Sequence, residues 1–298
     1  MMPIELKKRI KQGLFLLDGA IGTQLAARGV EVGHCYDYQN IESPDIVEAI
    51  HHDYFNAGSD AVLTNTLGAN KYMLSRHGLA DKVYEINKAG AQIARKAAGD
   101  KGYVLGDIGP CGDFLEPLGL LKADELKEAF AQQAKALEAG GVDGFIIETM
   151  TALEEIVVAI EAVKSVSSLP VFASMSYDKA GDDFRTMMGV SPEDAITKMV
   201  ELGADAIGFN CGKMGLDDYR SLAKKYASVV KGLNSDVALL AEVNAGLPEL
   251  VDDQAVYNVT AQEFAQALKD INKAGFNILG GCCGTDPALI KAAAALLK

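Results

Sequence analysis

Tryptophan is absent from this 298-residue sequence, histidine occurs only four times, and no apolar run is long enough to cross a bilayer. The missing long run excludes a membrane-spanning helix. Residues 1–10 lack the apolar centre of a signal peptide and read as a short amphipathic helix. Cysteine is sparse and odd in number, at five, which does not suggest a disulfide framework; a reducing cytoplasm fits best. Basic residues are outnumbered 28 to 41, for a net charge of −13, and this excludes nucleic acid or an anionic membrane surface as partner, since both need a basic patch. There is no low-complexity tract and no Pro/Ser-rich linker, so nothing marks a domain boundary and residues 1–298 are read as one domain. With 49% hydrophobic residues and a mean hydropathy of +0.09, a core of ample size is available.

The apolar residues are organised as an alternation. Short runs rich in β-formers, at 14–17, 61–64, 103–106, 144–147, 171–174, 206–209, 237–241 and 277–279, each precede a stretch of helical spacing. The helices are expected near 44–57, 80–98, 123–139, 152–165, 192–202, 216–231, 261–273 and 287–297. Ser43-Pro44, Ser191-Pro192 and Thr260 with Glu263 supply start signals. Glycines in a recurring idiom, such as Asn56-Ala-Gly-Ser-Asp60 and Lys273-Ala-Gly-Phe-Asn277, supply stops. Eight consecutive βα units predict an α/β fold, a (β/α)8 TIM barrel, with a short N-terminal helix. An open doubly wound sheet would want a phosphate-binding glycine loop after the first strand, and the glycines of Asp18-Gly19-Ala20-Ile21-Gly22-Thr23 do not follow that pattern.

In such a barrel the chemistry sits at the C-terminal ends of the strands. The residues there are Asp18, Asn65, Asp107, Glu148, Ser176, Cys211, Asn244 and the pair Cys282/Cys283. Each alone is unremarkable, because Asp and Asn commonly end strands by capping turns. Together they converge on one rim. No lysine or arginine is among them, so the rim is not a phosphate clamp; thiols and carboxylates suit a cation and an amine. Adjacent side chains on a regular strand point to opposite faces, but Gly280, Gly281 and Gly284 let the chain kink so that Cys282 and Cys283 turn the same way. With Cys211, three thiolates could hold a zinc ion with one position open, as in a catalytic site. The alternative at this point is three reduced, buried cysteines. The histidines read as structural or solvent-facing, Cys35 and Cys111 as non-ligands, and Cys111 as a residue that could line the pocket.

Asp18-Gly-Ala-Ile-Gly-Thr23, Thr64-Asn-Thr66, Gly106-Asp-Ile-Gly-Pro110, Glu148-Thr149, Phe209-Asn-Cys211, Glu242-Val-Asn-Ala-Gly246 and Gly280-Gly-Cys-Cys-Gly-Thr285 resemble the homocysteine S-methyltransferase family, from about residue 10 to the C-terminus. The last two segments look most like the homocysteine-binding domains of its cobalamin-dependent members. The resemblance implies Zn2+ held by Cys211, Cys282 and Cys283, with the open position taken by the homocysteine sulfur. Coordination deprotonates a thiol, whose free pKa is near 8.5, and so supplies the nucleophile for attack on a methyl donor to give methionine. It further implies that Asp18 and Glu148 hold the substrate ammonium. Backbone N–H groups of the loop containing Gly19, Ala20 and Thr23 would lie near its carboxylate, and Asn244 would supply an oxygen ligand when substrate is absent. Asn65 and Asp107 are expected in the same substrate pocket.

The sequence has no Asp-x-His-x-x-Gly segment for binding a corrinoid. A methylcobalamin donor is therefore expected on a separate corrinoid protein or neighbouring domain that docks at the cysteine rim. Two alternatives stand beside this one. In the first, the donor is a sulfonium or betaine, or the acceptor is another thiol. In the second, the barrel binds zinc without catalysis.

Overall fold

Each short apolar run is followed by a helix that carries the chain back to the starting edge, so the runs can pair only as parallel strands. The computed structural model describes residues 5–31, 33–251 and 254–298. Its eight central strands are β1 (Phe15–Leu16), β2 (Ala61–Leu63), β3 (Tyr103–Ile108), β4 (Gly144–Met150), β5 (Val171–Met175), β6 (Ala206–Asn210), β7 (Ala238–Val243) and β8 (Ile278–Gly281). The helices that return from them are α1 (Pro44–Ala57), α2 (Val83–Ala98), α3 (Ala123–Gly140), α4 (Leu153–Val166), α5 (Pro192–Glu201), α6 (Leu216–Gly232), α7 (Ala261–Lys273) and α8 (Pro287–Leu297).

The ladder runs β2-β3-β4-β5-β6-β7-β8-β1, all parallel. The remaining seam, between β1 and β2, is held by side chains and turns. The Asp60 N–H donates to Leu16 O at 2.6 Å while the Asp60 carboxylate accepts from Leu16 N at 2.8 Å. Asp18 Oδ2 accepts from Leu63 N at 3.0 Å, and Ser59 Oγ donates to Leu17 O at 3.1 Å. Two aspartates thus make the barrel nearly closed. This is the (β/α)8 architecture that the alternation predicts.

Strand periodicity of two sorts the side chains into an inner and an outer set. Phe15, Leu63, Leu105, Ile146, Phe172, Ala206, Leu240 and Ile278 pack together inside the barrel. Their strand neighbours Leu16, Val62, Val104, Ile147, Ala173, Ile207, Ala241 and Leu279 pack outward against the helices. Leu6 and Ile10, from and just after the helix Leu6–Arg9, close the lower end of the inner cluster. Two residues further along, the inner column becomes polar: Asp107 above Leu105, Glu148 above Ile146, Ser174 above Phe172, and Glu242 above Leu240. All four are buried. The barrel is therefore oil below and acid above.

Helix boundaries follow the start and stop signals, with one difference. Ser191 accepts from Asp194 N, and Thr260 and Glu263 form a reciprocal capping box. Ser43 makes no side-chain cap, and Pro44 alone marks the start of α1. Two hairpins interrupt the barrel rhythm, Asp178–Ala180 with Asp183–Arg185 after β5, and Glu249–Val251 with Gln254–Val256 after β7. Strands of three residues carry no alternation that a sequence reading could recover. No helix among the described residues is long and apolar enough to cross a membrane.

Candidate active site

The three cysteines predicted to meet do so. Cys211 follows β6 with a left-handed backbone (φ 53°), and Gly212 continues the turn at φ 85°. Both cysteine segments are tied to β7: Cys211 N donates to Glu242 O at 3.2 Å, and Cys282 N to Val243 O at 2.9 Å. Ala245 N donates to Cys283 O at 3.0 Å. The Thr285 hydroxyl donates to Cys282 O at 2.6 Å, and the Tyr219 hydroxyl to Cys211 O at 2.8 Å. The backbone is thus fixed at every cysteine, and the sulfurs are aimed by it. Cys211 Sγ and Cys283 Sγ lie 3.6 Å apart, and all three sulfurs lie within 4.8 Å of one another. Sulfurs around a tetrahedral ion with 2.3 Å bonds would be about 3.8 Å apart. As free thiols they share charge: S–H groups of Cys211 and Cys282 hydrogen-bond Cys283 and pull its pKa down to about 3. Hydrogen bonds to Cys211 and Cys283, with burial, push Cys282 up.

Asp18, Asp107 and Glu148 form the opposite half of the rim, and a fourth acid, Glu242 on β7, stands between the two cysteine-bearing strand ends. Burial raises the carboxyls of Asp18, Asp107, Glu148 and Glu242, with Glu148 raised to about 7. Each also feels its neighbours. Glu148 and Glu242 are hydrogen-bonded to one another, which favours ionisation of Glu148 and the proton on Glu242. Asp107 Oδ1 and Glu242 Oε2 are buried with no hydrogen-bond partner among the described residues. A site with this many raised carboxyls and unfilled acceptors is suited to a cationic ligand.

Asn210, the last residue of β6, joins the two halves. Its Nδ2 donates to Glu148 Oε2 at 3.2 Å and to the Thr149 hydroxyl at 2.7 Å, and lies 4.0 Å from Cys282 Sγ. Its Oδ1 accepts from Thr149 N at 2.8 Å and from the Ser174 hydroxyl at 2.7 Å. Thr149, like Cys211, has a positive φ, of 63°. Two strained non-glycine residues therefore flank Asn210, a concentration typical of functional sites.

A cavity of about 400 Å³ opens over these groups. Gly19, Ala20, Thr23, Asn65, Asp107, Glu148, Cys282 and Cys283 line it. Asp18 lies beneath it, bonded to Leu63 N. Cys211 is behind the pair in the sulfur cluster. Asn244 also stands off the cavity wall: its amide donates to Gly212 O at 2.9 Å, and its Oδ1 is buried and unpartnered. The loop Asp18–Thr23 is held by Thr285, whose hydroxyl accepts from Ala20 N at 3.0 Å, and by the Tyr54 hydroxyl, which donates to Ala20 O at 3.0 Å.

Several residues lie elsewhere than the sequence suggested, or were missed. His34 and His77 are solvent-exposed, as the sequence reading has them, and also line the cavity. Cys35 lines it too, with Tyr36 and the half-buried Asp37, whose carboxyl is raised to about 6 by desolvation and accepts from Gly68 N at 2.9 Å. Cys111 is buried outside the cavity lining, its N–H donating to Glu155. Glu242 and Asn210 were not picked out, although inward parity from Leu240 and Ala206 marks both.

Comparison with known proteins gives a concordant result. The family model described as homocysteine S-methyltransferase matches residues 15–297. Methionine synthase of Mycobacterium tuberculosis is 33% identical over 308 residues, covering 96% of this chain and 25% of that protein. The methionine synthase of Mycobacterium leprae is 32% identical, covering 98% and 25%. The chain thus spans about a quarter of the length of these relatives. Among solved structures, the metallated form of the homocysteine methyltransferase MmuM from Escherichia coli superposes with a TM-score of 0.79 at 22% identity, covering 97% of this chain and 98% of that one. At that identity the likeness speaks for the barrel fold.

Proposed function

The chain belongs to the homocysteine S-methyltransferase family, and on that premise we propose that it transfers a methyl group to the sulfur of homocysteine, giving methionine, with Zn2+ held by Cys211, Cys282 and Cys283. The observation that carries this reading is the cluster of three sulfurs within 4.8 Å at one rim of the barrel, facing a bank of buried acids. The donor set fits zinc: three thiols at the right spacing, with the unpartnered Asn244 Oδ1 as a candidate oxygen donor nearby. When bound, zinc favours the thiolate form of a thiol at neutral pH and leaves it nucleophilic.

The chain's own residues do the rest. Glu148, and Asp18 beneath the cavity, supply negative charge for the substrate ammonium, with Asp107 and Asn65 completing the pocket wall. The N–H groups of the Gly19–Thr23 segment are the available donors for its carboxylate. Fixing both ends of the amino acid holds its sulfur at the cysteine rim and replaces a bimolecular search by a positioned encounter. Asn210 keeps the acid half and the sulfur half in register.

The methyl donor on this reading is a methylcorrinoid, such as methylcobalamin, presented by a separate protein or domain. Seven of the ten exposed large apolar side chains among the described residues support a docking partner: Leu67, Phe114, Leu118, Leu120, Met187, Leu247 and Val256 all belong to strand-to-helix connections on the cavity's face of the barrel. The test is a methyl-transfer assay with homocysteine against methylcobalamin, a methylated corrinoid protein, S-methylmethionine and betaine. Transfer from the corrinoid donors alone is expected. Turnover only with the sulfonium or betaine would replace the donor assignment, and turnover with none would overturn the activity.

A further inference from the structure

One buried hydroxyl joins the two parts of the site that a bound amino acid would have to bridge. Thr285 is fully buried between the cysteine pair and α8. Its hydroxyl donates to Cys282 O at 2.6 Å and accepts from Ala20 N at 3.0 Å. A hydroxyl has one hydrogen to give, so these two bonds fix its rotation. The adjoining backbone leaves it room only for want of side chains: a Cβ at Gly19 would meet Thr285 Oγ1 at 2.5 Å, and one at Gly281 would meet it at 2.4 Å. Tyr54, also buried, backs the same junction, its hydroxyl 3.0 Å from Ala20 O and 3.2 Å from Thr285 O. Two further bonds cross the junction. Gly281 N donates to Asp18 O at 2.9 Å, and Gly284 N to the Thr23 hydroxyl at 3.3 Å. The first continues the β8–β1 pairing and the second is exposed. Among the described residues, Thr285 alone has a side chain that bonds both Ala20 and a cysteine.

We propose that Thr285 is a positioning residue that decides between substrates: by tying the Asp18–Thr23 loop to Cys282 it sets the span between the groups that take a thiol amino acid's carboxylate and its sulfur, and so selects homocysteine over cysteine. The use of that span rests on the methyl-transfer reading; the tie itself does not. The Ala20 N–H is engaged by the tie, so the carboxylate falls to the other N–H groups of the loop. Cysteine is shorter than homocysteine by one methylene, a deficit on the order of 1 Å. With both ends of the span fixed, cysteine cannot meet them together, and a misplacement of that size costs up to about 100-fold. A span free to shorten would accept either thiol.

Thr285→Val removes the hydroxyl and keeps the branched shape; Thr285→Ser keeps the hydroxyl. In the metal-free protein, amide hydrogen exchange over residues 18–23 and 281–285 is expected to quicken about tenfold in Thr285→Val and to stay at the wild-type rate in Thr285→Ser. In the zinc-loaded protein, calorimetry is expected to show the ratio of homocysteine to cysteine affinity falling about tenfold in Thr285→Val, with zinc content unchanged, and restored in Thr285→Ser. If Thr285→Val does not fold, Tyr54→Phe, which withdraws the hydroxyl behind Ala20 O and Thr285 O, reads the same two quantities, with changes of about threefold. Unchanged exchange in the folded variant overturns the tie, as does equal quickening in Thr285→Ser. Quickened exchange with an unchanged affinity ratio overturns the selection. A wild-type protein that binds neither thiol defeats the methyl-transfer reading instead, and the exchange comparison still decides the tie.

Discussion

The two halves of the barrel rim are built from the same backbone device and carry opposite chemistry. β1 to β4 end in or beside Asp18, Asn65, Asp107 and Glu148, while β6 to β8 lead into Cys211, Asn244, Cys282 and Cys283. Asp107 and Glu148 lie on their strands, where inward parity sets their direction, while Asp18, past β1 and off the inward parity, is held by its bond to Leu63 N. The sulfur half needs more. All three cysteines lie past the last strand residue, and their direction comes from a left-handed Cys211, adjoining glycines and hydrogen bonds to β7. Strand pleat suffices to gather carboxyls into a basin. Bringing three sulfurs from two strand ends within bonding reach of one ion demands a kinked backbone held from behind.

Breaking the sulfur half should have the largest effect. Cys211→Ala, Cys282→Ala and Cys283→Ala are each expected to reduce zinc content to near zero and abolish methyl transfer, with circular dichroism and melting like the wild type, because these side chains lie above the apolar layer. Near-wild-type zinc in any of them removes that cysteine from the ligand set. The acid half should respond differently. Glu148→Gln is expected to keep zinc and weaken homocysteine binding roughly 10- to 100-fold, the loss of a hydrogen bond between charged groups being about 1.5–3 kcal/mol. Calorimetry with homocysteine checks this, and an unchanged affinity takes Glu148 out of its proposed role.

The pH dependence sharpens the same contrast. Burial holds the Glu148 carboxyl up at about 7, and only its ionised form attracts an ammonium. Affinity for the amino-acid end should therefore rise as pH goes from 6 to 8, changing by up to about tenfold per unit below 7. An analogue without the sulfur, such as 2-aminobutyrate, isolates this from thiol ionisation. The step should vanish in Glu148→Gln, and its persistence there would assign it to another group. The smallest effect is expected where the halves meet. Ser174→Ala removes one hydrogen bond to Asn210 and should cost about 1 kcal/mol of stability, read by denaturant unfolding.

Much of the acid half was legible in the sequence, and the reason Glu242 escaped is instructive. Taking the last polar residue after each strand finds Asp18, Asp107 and Glu148, but on β7 it lands on Asn244. Counting in steps of two from the inward Leu240 reaches Glu242, and from Ala206 it reaches Asn210. Parity was the better guide, and it was available. The cysteine trio was legible from glycine-flanked sulfurs at two strand ends. The cavity wall made by His34, Cys35, Tyr36 and Asp37 was not, because no local pattern marks it. That loop is positioned by long-range bonds, Asp37 to Gly68 N and Asn65 Nδ2 to Tyr36 O, between segments about thirty residues apart. The two hairpins escaped for a similar reason: strands of three residues carry too little periodicity to read.

The central claim is that three cysteine sulfurs hold a metal whose remaining position accepts the substrate's sulfur. X-ray absorption at the zinc edge, with and without homocysteine, tests it most directly. The account predicts three sulfur neighbours at about 2.3 Å in the resting protein and a fourth after homocysteine is added. Fewer than three sulfurs at rest, or a coordination shell that homocysteine leaves unchanged, would contradict it.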